Sequence, residues 1–216
     1  MKLHLGCGEI YLKGYVNIDY PPSEHTAQLK SVADEYHDIT KLRYPKGSIE
    51  EIRLHHVFEH FPRAIALALL ISWRSWLKPG GILRIAVPDF DRTALAVLNP
   101  FSSVRNRRVG LRHIFGSNEA SWAVHYEGWS PKRMGAILKL FGFDVVTVKK
   151  QFWKGTFSFD LTARKNFRDI PVKEAEKLVK TFLSDHIVNM DAPSERRILE
   201  VWMETYRDQI KKALAH

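Results

Sequence analysis

The sequence predicts an α/β fold: a mostly parallel sheet with an antiparallel last strand, helices on both faces, and a helical extension at the C-terminus. Three observations predict it. Short β-type runs alternate with helix-type runs up to Lys165, the pattern of strands joined by crossover helices. The final two β-type runs, "FDVVTV" and "GTFSFDLTA", lie so close that only a hairpin can join them. From Phe167 onward apolar residues recur only at helical spacing.

The elements follow in order. "KLHL" at Lys2 is a first strand, and "YVNID" alternates apolar residues and ends at Asp19. A weak third strand lies in "ADEYHDI", a fourth is "IEEIRLHH", and a fifth is "GILRIAVPDFD". Between the last two, Arg63 to about Leu77 is a helix apolar nearly all round, hence buried against the sheet. It stops at "KPGG", where Pro79 cannot continue a helix and Gly80 can turn left-handed. "WSPKRMGAILKLFG" is a second helix, with Ser130 at its N-cap, Pro131 at its first position and Gly142 past its end. In "GTFSFDLTA" Phe157, Phe159 and Leu161 share one face. In the tail, Ala175, Leu178, Val179, Phe182 and Leu183 make one helical stripe, and Ile198, Trp202, Tyr206 and Ile210 a second beyond "DAPS".

The chain has 216 residues, 45% of them hydrophobic, enough to bury one substantial core. Its single cysteine, Cys7, excludes an internal disulfide framework and a multi-thiolate zinc site, and suits a reducing, cytoplasmic setting. No signal peptide is expected, and the most apolar run, Ala64 to Trp73, is too short to span a bilayer. A formal charge of +9 favours anionic partners.

Chemistry concentrates at the strand ends. Gly6 and Gly8 close the first strand and allow a ligand to approach the backbone. Asp19 closes the second and can accept from ribose hydroxyls. Tyr11 stands where the dinucleotide pattern needs its third glycine, and Asp19 follows the glycines after about half the usual separation of roughly twenty residues. Little room remains for a helix whose N-terminus would hold a pyrophosphate. The loop therefore favours a nucleoside without phosphates.

The stretches "LHLGCG", "GYVNID", "HDITKLRYPKGSIEEIRLHHVFEHF", "LKPGGILRIAVPDFD" and "HYEGWSPKRMGAILKLFGFDVV" resemble, in this order, those of class I S-adenosylmethionine-dependent methyltransferases, of the small group often called type 11. The resemblance covers roughly Lys2 to Lys165. It implies a Rossmann-like seven-stranded sheet and a methyltransferase domain over residues 1–165; within that domain 92–129 reads as an insertion or lid, and beyond it the helical spacing of 166–216 reads as an extension that packs on the domain or on a partner chain. It implies S-adenosylmethionine as cofactor. Gly6, Cys7 and Gly8 match the loop beside the methionine part, Asp19 the ribose-binding acid, and Tyr20 its neighbour near adenine. Asp38 and Ile39 match the pair that reads adenine, and His55 offers a backbone carbonyl to the cofactor's amino group. Ile10 stands where the broader superfamily has a glycine, and the first helix is nearly absent.

"HVFEH" also fits the H-x-x-E-H pattern of inverted zinc proteases, which needs His56 and His60 on one helix face with Glu59 as base. The preceding strand and Pro62 leave no long helix there, so no metal is assigned. Glu59 is either catalytic or an ordering residue of the pocket. His56 and His125 are candidate bases, and Asp89 and Asp91 are candidates for binding sugar hydroxyls. The segment from Arg92 to Asn118 holds Arg92, Arg105, Arg107, Arg108 and Arg112 and no acid. Arg108 and Arg112 suit a small, anionic acceptor. Phe101, Phe115, Trp122 and Trp129 either line its pocket or form core. The expected reaction is methyl transfer to an oxygen of a sugar or other metabolite precursor. RNA is a less favoured acceptor, and a silent module that retains the cofactor fold is the competing class.

Overall fold

The computed structural model describes residues 1–24 and 27–214. Its centre is a seven-stranded sheet in the order β3-β2-β1-β4-β5-β7-β6, with β1 Lys2–Leu5, β2 Val16–Asp19, β3 Glu35–Tyr36, β4 Ile49–His55, β5 Leu77–Pro88, β6 Phe143–Trp153 and β7 Thr156–Lys165. β7 runs antiparallel to both its neighbours, β5 and β6. The strand order reverses at β1, which pairs in parallel with β2 on one side and β4 on the other. Ligands of open α/β sheets bind at such a switch point, outside the carboxyl ends of the strands. Gly6 and His56 lie there, one residue beyond β1 and β4.

β1 is central, and Leu3, Leu5 and even His4 are buried; the His4 ring finds its partner in Asn17 at 3.0 Å. No helix joins β1 to β2, as the short spacing requires. The first full helix is α1, Arg63–Trp76, and it buries Trp73 and Trp76 in the main core. α2 (Phe90–Leu98) and α3 (Val104–Phe115) form a helical pair in the segment that the sequence marked as an insertion or lid. α4 (Pro131–Leu140) starts at Ser130 with Pro131 in its first turn, although the Ser130 hydroxyl makes no capping bond. The β6–β7 hairpin turns at Lys154 and Gly155, both at positive φ, the geometry of a tight hairpin turn.

α5 (Val172–Ser184) and α6 (Pro193–Leu214) return across the domain, and α6 packs along α1. Gln209 donates to the Thr40 carbonyl at 2.6 Å, and the Arg63 guanidinium lies over the Trp202 ring. The buried stripe of α6 is Leu199, Met203, Tyr206 and Ile210. Ile198, expected on that stripe with Tyr206 and Ile210, is exposed, and Leu199 joins the core in its place.

Lys165 is a buried ammonium whose Nζ donates to the Leu77 carbonyl at 2.6 Å. Burial, with Arg74 and Lys46 nearby, lowers its pKa from 10.5 to about 8. The unfolded chain therefore holds more protons between those values, and this group makes stability rise with pH from about 8 to 10.5. Below that window both states are protonated and the penalty is constant. Thermal melts of Lys165→Met against wild type across the window are expected to lose this slope; an unchanged slope would assign it elsewhere.

Candidate active site

The loop after β1 is built by two glycines. Gly6 and Gly8 sit at φ +66° and +56°, and a Cβ on Gly6 would stand 2.3 Å from Val57 Cγ2. The loop can thus pack directly against the turn after β4. Gly6 and Cys7 both donate backbone N–H bonds to the Ile18 carbonyl. Gly8 N–H donates to Asp19 Oδ2 at 2.8 Å, and Tyr20 N–H to Oδ1 at 2.8 Å. These bonds fix the carboxylate, and the Cys7 thiol also donates to Oδ2 at 3.9 Å. The Cys7 thiol is buried, and burial with the nearby Asp19 charge pushes its pKa up to about 12, so it is no nucleophile.

Gly6, Gly8, Asp19, Tyr20, Asp38, Ile39 and His55 line one cleft of about 690 Å³. Asp38 also caps a short turn, its Oδ1 accepting from Thr40 N–H at 2.9 Å. The far wall was not legible in sequence: Gln28 donates to the Gly8 carbonyl, and Glu9 accepts from the backbone of Leu29 and Lys30. Trp122 closes another side, its Nε1 donating to the Glu24 carbonyl at 2.9 Å.

A second cleft of about 400 Å³ adjoins the first and shares His56, His60 and Trp122 with it. "HVFEH" is no long helix: His56 sits at φ +55° and Phe58–His60 is a single 3-10 turn. The one-face geometry of a zinc protease is absent. That turn buries Glu59, only 1% exposed, and sets His56 Nδ1 3.2 Å from its Oε1. Burial alone would raise the Glu59 pKa; the His56 contact and the surrounding His60 and His125 outweigh it and hold the carboxyl below its ordinary value. Burial depresses His55, His113 and His125, which favours their neutral forms. His125 is carried into the site by the segment before α4, which is pinned where Tyr126 N–H donates to the Glu59 carbonyl at 2.9 Å. Glu127 anchors that segment through Arg63 at 2.6 Å and Arg133 at 2.7 Å.

The substrate candidates divide. Arg112 lines the second cleft, whereas Arg108 is exposed and lines neither. Asp89 is buried as the N-cap of α2, its Oδ1 accepting from Arg92 N–H. Asp91 is exposed in the first turn of that helix. Neither aspartate lines the two clefts, because Pro88 ends the strand and the chain turns at once into α2. Arg107 is spent on the Asn99 and Pro100 carbonyls. Trp129 is core, and Phe101 and Phe115 are exposed; Trp122 alone of the four aromatic candidates lines a cleft. His60, named in the sequence only for the zinc pattern, and His113, not singled out there, both line the second cleft.

No family model matches this sequence, and no curated protein does. The solved structures do match in fold. A SAM-dependent methyltransferase of Methanosarcina mazei aligns over 77% of this chain and 92% of its own, with TM-score 0.51 and 14% identity. A chain from the complex of the Haloferax volcanii Trm112 methyltransferase activator with a methyltransferase aligns over 78% of this chain and 82% of its own, with TM-score 0.54 and 14% identity. An S-adenosylmethionine-dependent methyltransferase of Mesorhizobium loti aligns over 76% and 89%, with TM-score 0.50 and 15% identity. With its seven-stranded order, its reversed β7 and its glycine loop facing Asp19, the chain has the fold of the class I S-adenosylmethionine-dependent methyltransferases.

Proposed function

We propose that this protein transfers the methyl group of S-adenosylmethionine to an oxygen of a small-molecule acceptor, a sugar or related metabolite precursor. The observation that carries the reading is the pair of adjoining clefts that share His56. The larger has a fixed carboxylate, Asp19, opposite a glycine loop and suits a nucleoside without phosphates. The smaller has titratable groups and Arg112, and suits the acceptor. Methyl transfer needs the acceptor oxygen in line with the sulfonium, and a base to take its proton. His56, oriented by Glu59, is the base of this reading, and His125 lies behind it. The His55 carbonyl and Ile39 N–H remain the proposed cofactor contacts. Among the described residues no helix is long and apolar enough to cross a membrane.

The test is transfer of radiolabel from methyl-labelled S-adenosylmethionine to glycan precursors, small phenols and bulk RNA. Label in an alkali-stable ether of a small molecule is expected. Label in RNA would move the acceptor to nucleic acid, and cofactor binding with no transfer would make the protein a silent module. On an anionic acceptor, Arg112→Ala is expected to raise KM about tenfold or more, the loss of one charge-assisted hydrogen bond. Arg108→Ala is expected to leave KM unchanged; equal effects of the two would point to a diffuse basic surface instead.

A further inference from the structure

Glu59, His60 and His125 face one another in the second cleft, each offering a ligand atom, and those atoms all lie within 4.8 Å of one another. We propose that these three side chains bind a first-row divalent metal ion, with Zn²⁺ and Mn²⁺ as its nearest chemical types.

The imidazoles are already set as ligands. His60 Nδ1 lies 3.1 Å from the Val124 carbonyl, and His125 Nδ1 lies 3.0 Å from the His113 carbonyl. A carbonyl only accepts, so in each neutral ring Nδ1 is the donor and Nε2 carries the lone pair. Metal-bound histidines are held in this way, with the outer nitrogen on a carbonyl and the inner one on the ion. His113 lies outside the set: the ligand atoms gathered within 4.8 Å of one another are those of Glu59, His60 and His125.

Glu59 supplies a second, independent observation. Its Oε1 meets His56, but its Oε2 is buried and has no hydrogen-bond partner among the described residues. A carboxylate oxygen buried without a donor is costly, and a cation removes that cost. His125 Nε2 stands 4.0 Å from Oε1, too far for a hydrogen bond. Ligands about 2.0–2.2 Å from a tetrahedral ion lie about 3.4 Å apart, so small side-chain rotations close the set.

The donors name the class of ion. Two imidazoles and one carboxylate suit zinc, manganese, iron or cobalt in an open, three-ligand site, and not magnesium or calcium, which prefer all-oxygen shells. All three ligands line the second cleft, so the open positions face it. On the methyl-transfer reading, an acceptor hydroxyl bound there is acidified by the ion. It loses its proton to His56, its oxygen bonds to the methyl carbon as the sulfur–carbon bond breaks, and S-adenosylhomocysteine leaves. The metal site itself does not depend on that reading.

The experiment uses the untagged full chain, stripped with chelator and titrated calorimetrically with Zn²⁺ and with Mn²⁺ in the absence of cofactor. One ion per chain is expected, undisturbed by millimolar Mg²⁺. His60→Ala and His125→Ala, with circular dichroism unchanged, should each weaken binding by more than about a hundredfold, beyond the effect of losing an outer-shell partner. His113→Ala should retain it. Where a variant fails to fold, Co²⁺ bound to the intact protein reads the site: intense low-coordinate d–d bands are expected, and bands of the hydrated ion alone would overturn the proposal. No stoichiometric ion, or binding that persists in both His→Ala variants, would also overturn it. A protein that binds the ion but transfers no methyl group would leave the metal site standing and remove the methyl-transfer reading.

Discussion

His56→Ala is expected to lower kcat by about 10²–10⁴-fold, the usual contribution of a positioned general base, with S-adenosylmethionine affinity nearly unchanged. The expectation rests on where the ring is held. Nδ1 is tied at 3.2 Å to a carboxylate that is itself 1% exposed, so the imidazole has little freedom, and His56 lines both clefts. The backbone at φ +55° is a costly conformation for a non-glycine residue outside turns, and such outliers cluster at functional sites. Because alanine tolerates that φ poorly, His56→Asn is the necessary companion. Asparagine adopts the left-handed region more readily and still removes the base. Single-turnover rates that fall in both variants support the role. Activity retained in His56→Asn would reduce His56 to a partner that merely orders Glu59.

Asp19→Ala is expected to weaken S-adenosylmethionine binding by about 10–100-fold, corresponding to the loss of about 1.5–3 kcal/mol from charge-assisted hydrogen bonds. Two effects combine. The ribose loses its acceptor, and Gly8 N–H loses the 2.8 Å bond that closes the glycine loop. Asp19→Asn separates them, since its amide oxygen can keep the Gly8 bond while the charge is gone. Calorimetry should order the affinities wild type, Asn, Ala. An Ala variant that binds as tightly as wild type would remove Asp19 from the site.

The sheet and the lining of the larger cleft were legible because their signals are local. Gly6, Asp19, Asp38 and His55 each lie at or just after a strand's end, so finding the strands finds the residues. The second cleft is assembled from afar. His60 and Glu59 meet His125 only because the segment before α4 is tied down by Glu127 and by the Tyr126 bond to Glu59, and no spacing rule in the sequence encodes that meeting. "HVFEH" offered a metal pattern, but its third ligand lies far along the chain, and His56 turns to Glu59 instead. Asp89 lies outside both clefts for a local reason: a carboxylate just before a helix is as good a cap as a ligand, and here it caps α2. Arg108 and Arg112 stand four apart on α3 and share a helix face, but Arg112 is one turn nearer the helix end, beside His113 and Gly116, and lines the second cleft with them, whereas Arg108 does not.

The most direct measurement of the account is calorimetric titration of the purified chain with S-adenosylmethionine and S-adenosylhomocysteine, with NAD as the competing nucleotide. One site per chain for the first two is expected, with no heat from NAD, and with binding diminished in Asp19→Ala. No binding of either sulfur ligand, or a preference for NAD, would contradict the assignment of the larger cleft and with it the methyl-transfer reading.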